Sequence, residues 1–250
     1  NREFGYSIEG DNIGECWGIS AHPNGDGTVA SGVYKGMKLS ELWEKHPELF
    51  GDTGMDRFPL LIKIIDAKDD LSIQVHPDDA YAKVHENGSL GKTECWFILD
   101  CKENATLVVG HNAKTKEGLE QMIHEGRWRE FIREIPIKPG DFIQIDPGTV
   151  HAIKGGTLLL ETQQSSDITY RVYDYDRLSN GKPRQLHIAQ SIDVITVPAK
   201  SADNSVVHTE KKDDVIQQLI QCPYYTVYRI DVEHRVETWQ DKPFVLMSVV

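Results

Sequence analysis

The chain has 250 residues, 39 % of them apolar, and its 27 basic and 39 acidic side chains leave a net charge of −12. This composition supports a buried core and excludes a disordered chain, and the acidic balance argues against nucleic acid as a partner. No run of about 18 apolar residues is present and the opening residues carry no signal-peptide pattern, so a cytoplasmic protein with no membrane contact is expected.

In chain order, Ser40 is placed to cap a helix running to Leu49, and a strand follows over 58–66. Residues 71–76 alternate as a strand, and Asp78 and Asp79 open a short helix through Val84. Strands are expected over 94–99 and 105–109. The 115–133 segment has an amphipathic period broken at Gly126. Further strands fall at 141–145, 157–162 and 168–173. After a charged connection over 200–214, two more are expected, at 224–232 and from Phe244 to the end. Many short strands without regular strand–helix alternation predict a mainly β sandwich or jelly-roll-like barrel with a few short helices. The predicted division is a catalytic unit over 1–199 and the start of a second, smaller jelly-roll-like unit over 200–250. Both ends fall inside apparent structure, so a fragment of a longer chain is expected. Cys16, Cys95, Cys101 and Cys222 form no CxxC pair and read as reduced thiols.

Three segments carry chemistry. In LSIQVHP at 71–77, strand alternation sends Ser72, Gln74 and His76 to one face and Leu71, Ile73 and Val75 to the other. Gln74 and His76 then project together, as two neighbouring metal ligands would. Alone, such a pair is more often a solvent-facing polar edge. In GKTECWFIL at 91–99, Glu94 opens an apolar strand with Lys92 two positions earlier on the same side, and the plain alternative is a charged strand entrance. In GDFIQIDPGTVHAI at 140–153, a Pro147–Gly148 turn returns the chain to the sheet at His151, which places an imidazole on a rigid element. Together Gln74, His76, Glu94 and His151 make two nitrogen and two oxygen donors, a set that suits zinc and also admits iron, manganese or cobalt. Arg171, in the polar run 161–174, is positioned to clamp an anion or a developing enediolate, or else to form a surface ion pair. Trp17 and Trp96 read as core side chains, and His111 and His187 are left undecided.

These segments resemble the type I mannose-6-phosphate isomerases, or phosphomannose isomerases, in their shorter bacterial form. The resemblance is carried in order by GECWGISAHP at 14–23, FPLLIK at 58–63, LSIQVHP at 71–77, GKTE at 91–94, PGTVHA at 147–152 and SSDITYRVYD at 165–174. It implies a cupin-type double-stranded β-helix, one Zn2+ per chain on Gln74, His76, Glu94 and His151, and catalytic parts for Arg171 and Lys92. The reaction it implies interconverts mannose 6-phosphate and fructose 6-phosphate by moving a proton between C1 and C2 through a cis-enediol. The base is open among bound hydroxide, Lys92, Glu161 and Asp167. Ser72, Lys63, Lys92 and Arg184 are the expected phosphate contacts. The partner is a small sugar phosphate, and the oligomeric state is open between monomer and homodimer. The alternatives are a metal-binding cupin of other chemistry, such as a different sugar-phosphate isomerase or an oxygenase, and a non-catalytic carbohydrate-binding barrel.

Overall fold

The computed structural model describes residues 13–179, 181–202 and 205–250. The opening segment read for a leader pattern lies outside them. The described residues form sixteen strands: β1 (Glu15–His22), β2 (Gly25–Asp26), β3 (Leu60–Ala67), β4 (Ile73–Val75), β5 (Glu94–Cys101), β6 (Thr106–His111), β7 (Ile132–Pro136), β8 (Asp141–Ile145), β9 (His151–Ala152), β10 (Thr157–Gln164), β11 (Tyr170–Tyr173), β12 (Leu178–Ser179), β13 (Lys182–Pro183), β14 (Val206–His208), β15 (Val215–Gln221) and β16 (Thr226–Asp231). Five α-helices accompany them: α1 (Leu39–Lys45), α2 (Asp79–His85), α3 (Lys116–His124), α4 (Trp128–Phe131) and α5 (Ile188–Val194).

The strands form two antiparallel sheets, ordered β14-β8-β5-β10-β3-β1-β2 and β11-β4-β9-β6-β7, with β12–β13 and β15–β16 as separate hairpins. The sheets pack face to face. Ile65, Ala67, Trp96, Ile98, Ile143, Ile145 and Leu159 of the larger sheet meet Leu107, Val109 and Ile135 of the smaller one. The outer face of the smaller sheet is apolar too. Ile73, Val75, Val108, Ala152, Tyr170 and Val172 are covered there by Leu119 and Ile123 of α3, Phe131 of α4 and residues of α5. The β15–β16 hairpin lies on the outer face of the larger sheet, where Leu219 and Tyr225 pack on Cys95 and Phe142.

This architecture corrects the expected fold class. No strand is shared between the two sheets and neither closes on itself, so the described residues form a mixed α/β arrangement of open sheets, not a cupin-type jelly roll or double-stranded β-helix. Alternation in a sequence fixes which face each side chain takes. It does not say whether the outermost strands find each other. Here the larger sheet ends on the two-residue β2 and the three-residue β14, edges too short to template further pairing.

Local signals fared better. Asp78 caps α2, accepting the Tyr81 N–H at 2.8 Å, and Thr115 caps α3, accepting the Gly118 N–H at 3.1 Å. Gly126, at φ 65°, separates α3 from α4 where the period breaks. Ser40 is not the cap of α1, which starts at Leu39. Its hydroxyl donates instead to the Asp26 carboxylate. The run from Phe244 joins no ladder, and Phe244 and Leu246 pack against Trp43, Phe50 and Phe58.

Candidate metal centre

Register assembles the site. In the smaller sheet Arg171 of β11 stands opposite Gln74 of β4, and Gln74 stands opposite His151 of β9. Directly opposed residues share a face, so these three side chains lie in a row, with His76 two positions beyond Gln74. Ile73 and Val75 turn outward into the helix-covered core, which fixes Ser72, Gln74 and His76 inward. The Gly148 N–H donates to the His76 carbonyl at 2.9 Å, tying the turn that delivers His151 to the other imidazole's own backbone. Gly148 is obligatory there: at φ 79°, an added Cβ would lie 2.4 Å from Thr196 Oγ1.

The facing wall comes from the larger sheet. Glu94 opens β5 with both side-chain oxygens buried. His76 Nε2 and His151 Nε2 are 3.1 Å apart, and they lie 3.5 and 3.4 Å from the Glu94 oxygens. The Gln74 amide is 3.3 Å from His151 Nε2, and a half-turn of that amide presents its oxygen at the same place. Donors about 2.0–2.2 Å from a common centre at tetrahedral angles stand about 3.3–3.6 Å apart, so this spacing fits one small divalent ion. The chemistry of the donors agrees. Neither Glu94 oxygen accepts a well-aligned hydrogen bond, although the Lys92 ammonium lies 3.1 Å away. The His151 Nδ1–H donates to the Thr149 carbonyl at 2.9 Å, which leaves Nε2 its lone pair. Burial pushes the His76 imidazole down to about 3 and lowers His151, so both rings are neutral ligands at physiological pH. Burial alone would raise the Glu94 carboxyl, but Lys92 and the two imidazoles hold it well below the usual range. His76, Glu94 and His151 thus form a buried cluster able to coordinate a metal.

Around this cluster the other expected residues take distinct places. Lys92 is buried beside Glu94. Ser72 is buried on the inward face. Lys63, opposite Glu161 in the β3–β10 ladder, sits 3.3 Å from it and 3.0 Å from Glu15, with its ammonium 5.1 Å from the Trp17 ring centre. Burial and the charge of Glu94 push the Glu161 carboxyl up, against the pull of Lys63. Trp96 Nε1–H donates to Glu161 at 3.0 Å, so this core indole also orients a site carboxylate. Arg171 donates from a terminal guanidinium nitrogen to the Gln185 carbonyl at 3.0 Å, while its Nε is buried without a partner. Arg184 is paired along one edge with Asp174, its Nε 2.7 Å from Oδ2. Neither undecided histidine joins the cluster. His111 Nε2–H donates to the Thr196 carbonyl, and His187 Nδ1 accepts the Arg171 backbone N–H. Trp17 is half-buried, not core, and all four cysteines are free thiols. A cleft of about 540 Å³ between Trp43, Phe50 and Arg57 is lined by none of the residues of this cluster.

The Glu15–Lys63–Glu161 pairing and the inward Gln163 were not found by motif reading. The signal that would have found the second was present, since Thr157, Leu159, Glu161 and Gln163 alternate along β10.

A buried His–Glu–His cluster able to hold a metal, set between two packed antiparallel sheets, marks a protein built around a candidate metal site. Comparison with known proteins narrows this. The family signature "Phosphomannose isomerase type I, catalytic domain" matches residues 3–90. Mannose-6-phosphate isomerase ManA of Bacillus subtilis is 52 % identical over 249 residues, covering 99 % of this chain and 79 % of its own. Mannose-6-phosphate isomerase of Streptococcus mutans is 50 % identical over 250 residues, covering 100 % of this chain and 78 % of its own. The crystal structure of the Bacillus subtilis mannose 6-phosphate isomerase superposes with a TM-score of 0.82 at 52 % identity, over 91 % of this chain and 73 % of that one. The chain belongs to the type I phosphomannose isomerase family. Among the described residues, no helix is long and apolar enough to cross a membrane.

Proposed function

We propose that this protein interconverts mannose 6-phosphate and fructose 6-phosphate, using one Zn2+ held by Gln74, His76, Glu94 and His151. The observation that carries the reading is the spacing of three buried donors by 3.1 to 3.5 Å, with Gln74 3.3 Å from one of them, inside a chain of this family. Two neutral imidazoles, one carboxylate and one amide oxygen favour zinc by ligand type and count. An ion bound there supplies Lewis-acid stabilisation of charge developing on the C1–C2 oxygen edge of the open-chain sugar.

The chain's own side chains supply the rest. Arg171, beside Gln74 on the same face, offers fixed cationic donors to that developing charge. Lys92 holds Glu94 ionised and in place, and its ammonium faces the same interior. Glu161 fits the proton shuttle between C1 and C2. Its carboxyl is raised, the direction that strengthens a carboxylate as a base, and Trp96 and Lys63 hold its oxygens in position. Ser72, Lys63 and Arg184 are the phosphate contacts of this reading. Arg184 keeps one edge of its guanidinium for the purpose, the other being bound to Asp174.

Fructose 6-phosphate turnover, followed before and after chelation with metal content measured alongside, tests the proposal. Activity should vanish with the metal and return on adding zinc. A folded chain that keeps full activity after the metal is stripped defeats it.

A further inference from the structure

One polar side chain on the inward face of β10 has no part in the reading above. Gln163 stands directly opposite Glu94 in the β10–β5 ladder and, like Glu94, is wholly buried. Opposed residues of an antiparallel pair leave the same face about 4.5–5.5 Å apart, which directs Gln163 to the side of the metal-binding cluster. Its amide nitrogen donates to two backbone carbonyls, Gln164 at 2.9 Å and Ser166 at 2.5 Å. Carbonyl oxygens only accept, so the amide cannot turn round: nitrogen is fixed toward the 164–166 loop, and Oε1 is fixed away from it. That oxygen is buried and has no partner. Most buried acceptors are met by a protein donor, an ordered water or a bound ligand, so this one calls for an explanation.

The nearby cations do not serve it. Lys92 is paired with Glu94, and Lys63 with Glu15 and Glu161. A phosphate dianion presents acceptors only and would be repelled, so the group that fits is a neutral donor. We infer that Gln163 is a specificity residue whose Oε1 accepts a hydrogen bond from one hydroxyl of the bound sugar phosphate, beside the metal-binding cluster. The inference rests on the proposed isomerase reading. It adds a means of choosing among sugars, because a fixed acceptor left unpaired penalises any analogue lacking the hydroxyl it reads.

The test compares wild type with Gln163→Met on mannose 6-phosphate and on its monodeoxy derivatives at C3, C4 and C5. It follows kcat and KM, with bound metal and thermal midpoint alongside. The variant should lose about tenfold in kcat/KM on the parent sugar. On one deoxy derivative, wild type and variant should coincide. An equal loss on every sugar overturns the inference, because Gln163 would then act only by fastening the loop through its nitrogen. An unchanged kcat/KM on the parent overturns it as well. If the methionine variant fails to fold, Gln163→Glu keeps an acceptor oxygen at the same reach without the amide donors. Retained discrimination between parent and deoxy sugar then supports the inference, and lost discrimination overturns it. A folded, metal-loaded wild type that turns over none of these sugars defeats the isomerase reading first and takes this inference with it.

Discussion

The inward face of the seven-stranded sheet carries two opposite chemistries on the same strands. At one end Ile65 and Ala67 of β3, Ile98 of β5 and Leu159 of β10 build the core between the sheets. A few residues along those strands stand Lys63, Glu94, Glu161 and Gln163, all buried, all polar. The difference shows how such a site is held. Burying charged groups costs free energy, which the apolar end offsets, and the continuous ladder transmits the rigidity of that end to the donors. One half stabilises and the other carries the candidate site.

Substitutions at the two ends should therefore separate stability from activity. Glu94→Gln should lower turnover about a thousandfold, in keeping with the several kcal/mol of charge stabilisation a bound Lewis acid supplies. Bound metal should fall with it. The thermal midpoint of the metal-free protein should fall only modestly, since the loss of the Lys92 ion pair is set against relief of a buried carboxylate whose oxygens accept no well-aligned hydrogen bond. A midpoint drop as large as a core truncation gives would break the comparison. Ile98→Ala at the apolar end should show the converse. It should cost about 2–5 kcal/mol in urea unfolding, with turnover per folded molecule unchanged.

Asp174→Asn sharpens the comparison at the rim. Burial pushes the Asp174 carboxyl up, but Arg184 and Arg177 outweigh it and hold the carboxyl below its usual value. A depressed folded-state value means that the stabilisation is present above the ordinary aspartate range and is lost as pH falls through the folded value. The substitution should cost about 1–2 kcal/mol near neutral pH, discounted because the arginines are part-exposed. The gap to wild type should narrow in unfolding curves taken below about pH 4. A gap that widens toward acid would show that the arginines are not what holds this carboxylate ionised.

The site was more legible in the sequence than the architecture was. Gln74, His76 and His151 could be read because strand alternation and a Pro–Gly turn are local signals, and Glu94 because its family segment is distinctive. Four strand assignments hold to the residue at one end or both: 141–145 coincides with β8, Glu94 opens β5, Thr157 opens β10 and Tyr173 closes β11. Closure of the sheets was misread because it depends on partners far away in the chain, about which alternation is silent. The same limit hid the pairing of Lys63 with Glu15 and Glu161, three residues brought together by the β1–β3–β10 ladder alone. Phe244 looked like the start of a strand because its neighbourhood is apolar. Its side chain instead joins the aromatic cluster around Trp43.

The contact between Gln74 and His151 joins positions 77 residues apart, and that between His76 and His151 positions 75 apart. Loops of that length close late, after local hairpins such as β15–β16 have had time to form. The donor set is therefore expected to complete late in folding, so that a bound ion would act on the finished molecule more than on the path toward it. Added zinc should slow unfolding while scarcely changing the refolding rate, as a late-fitted lock on the fold would.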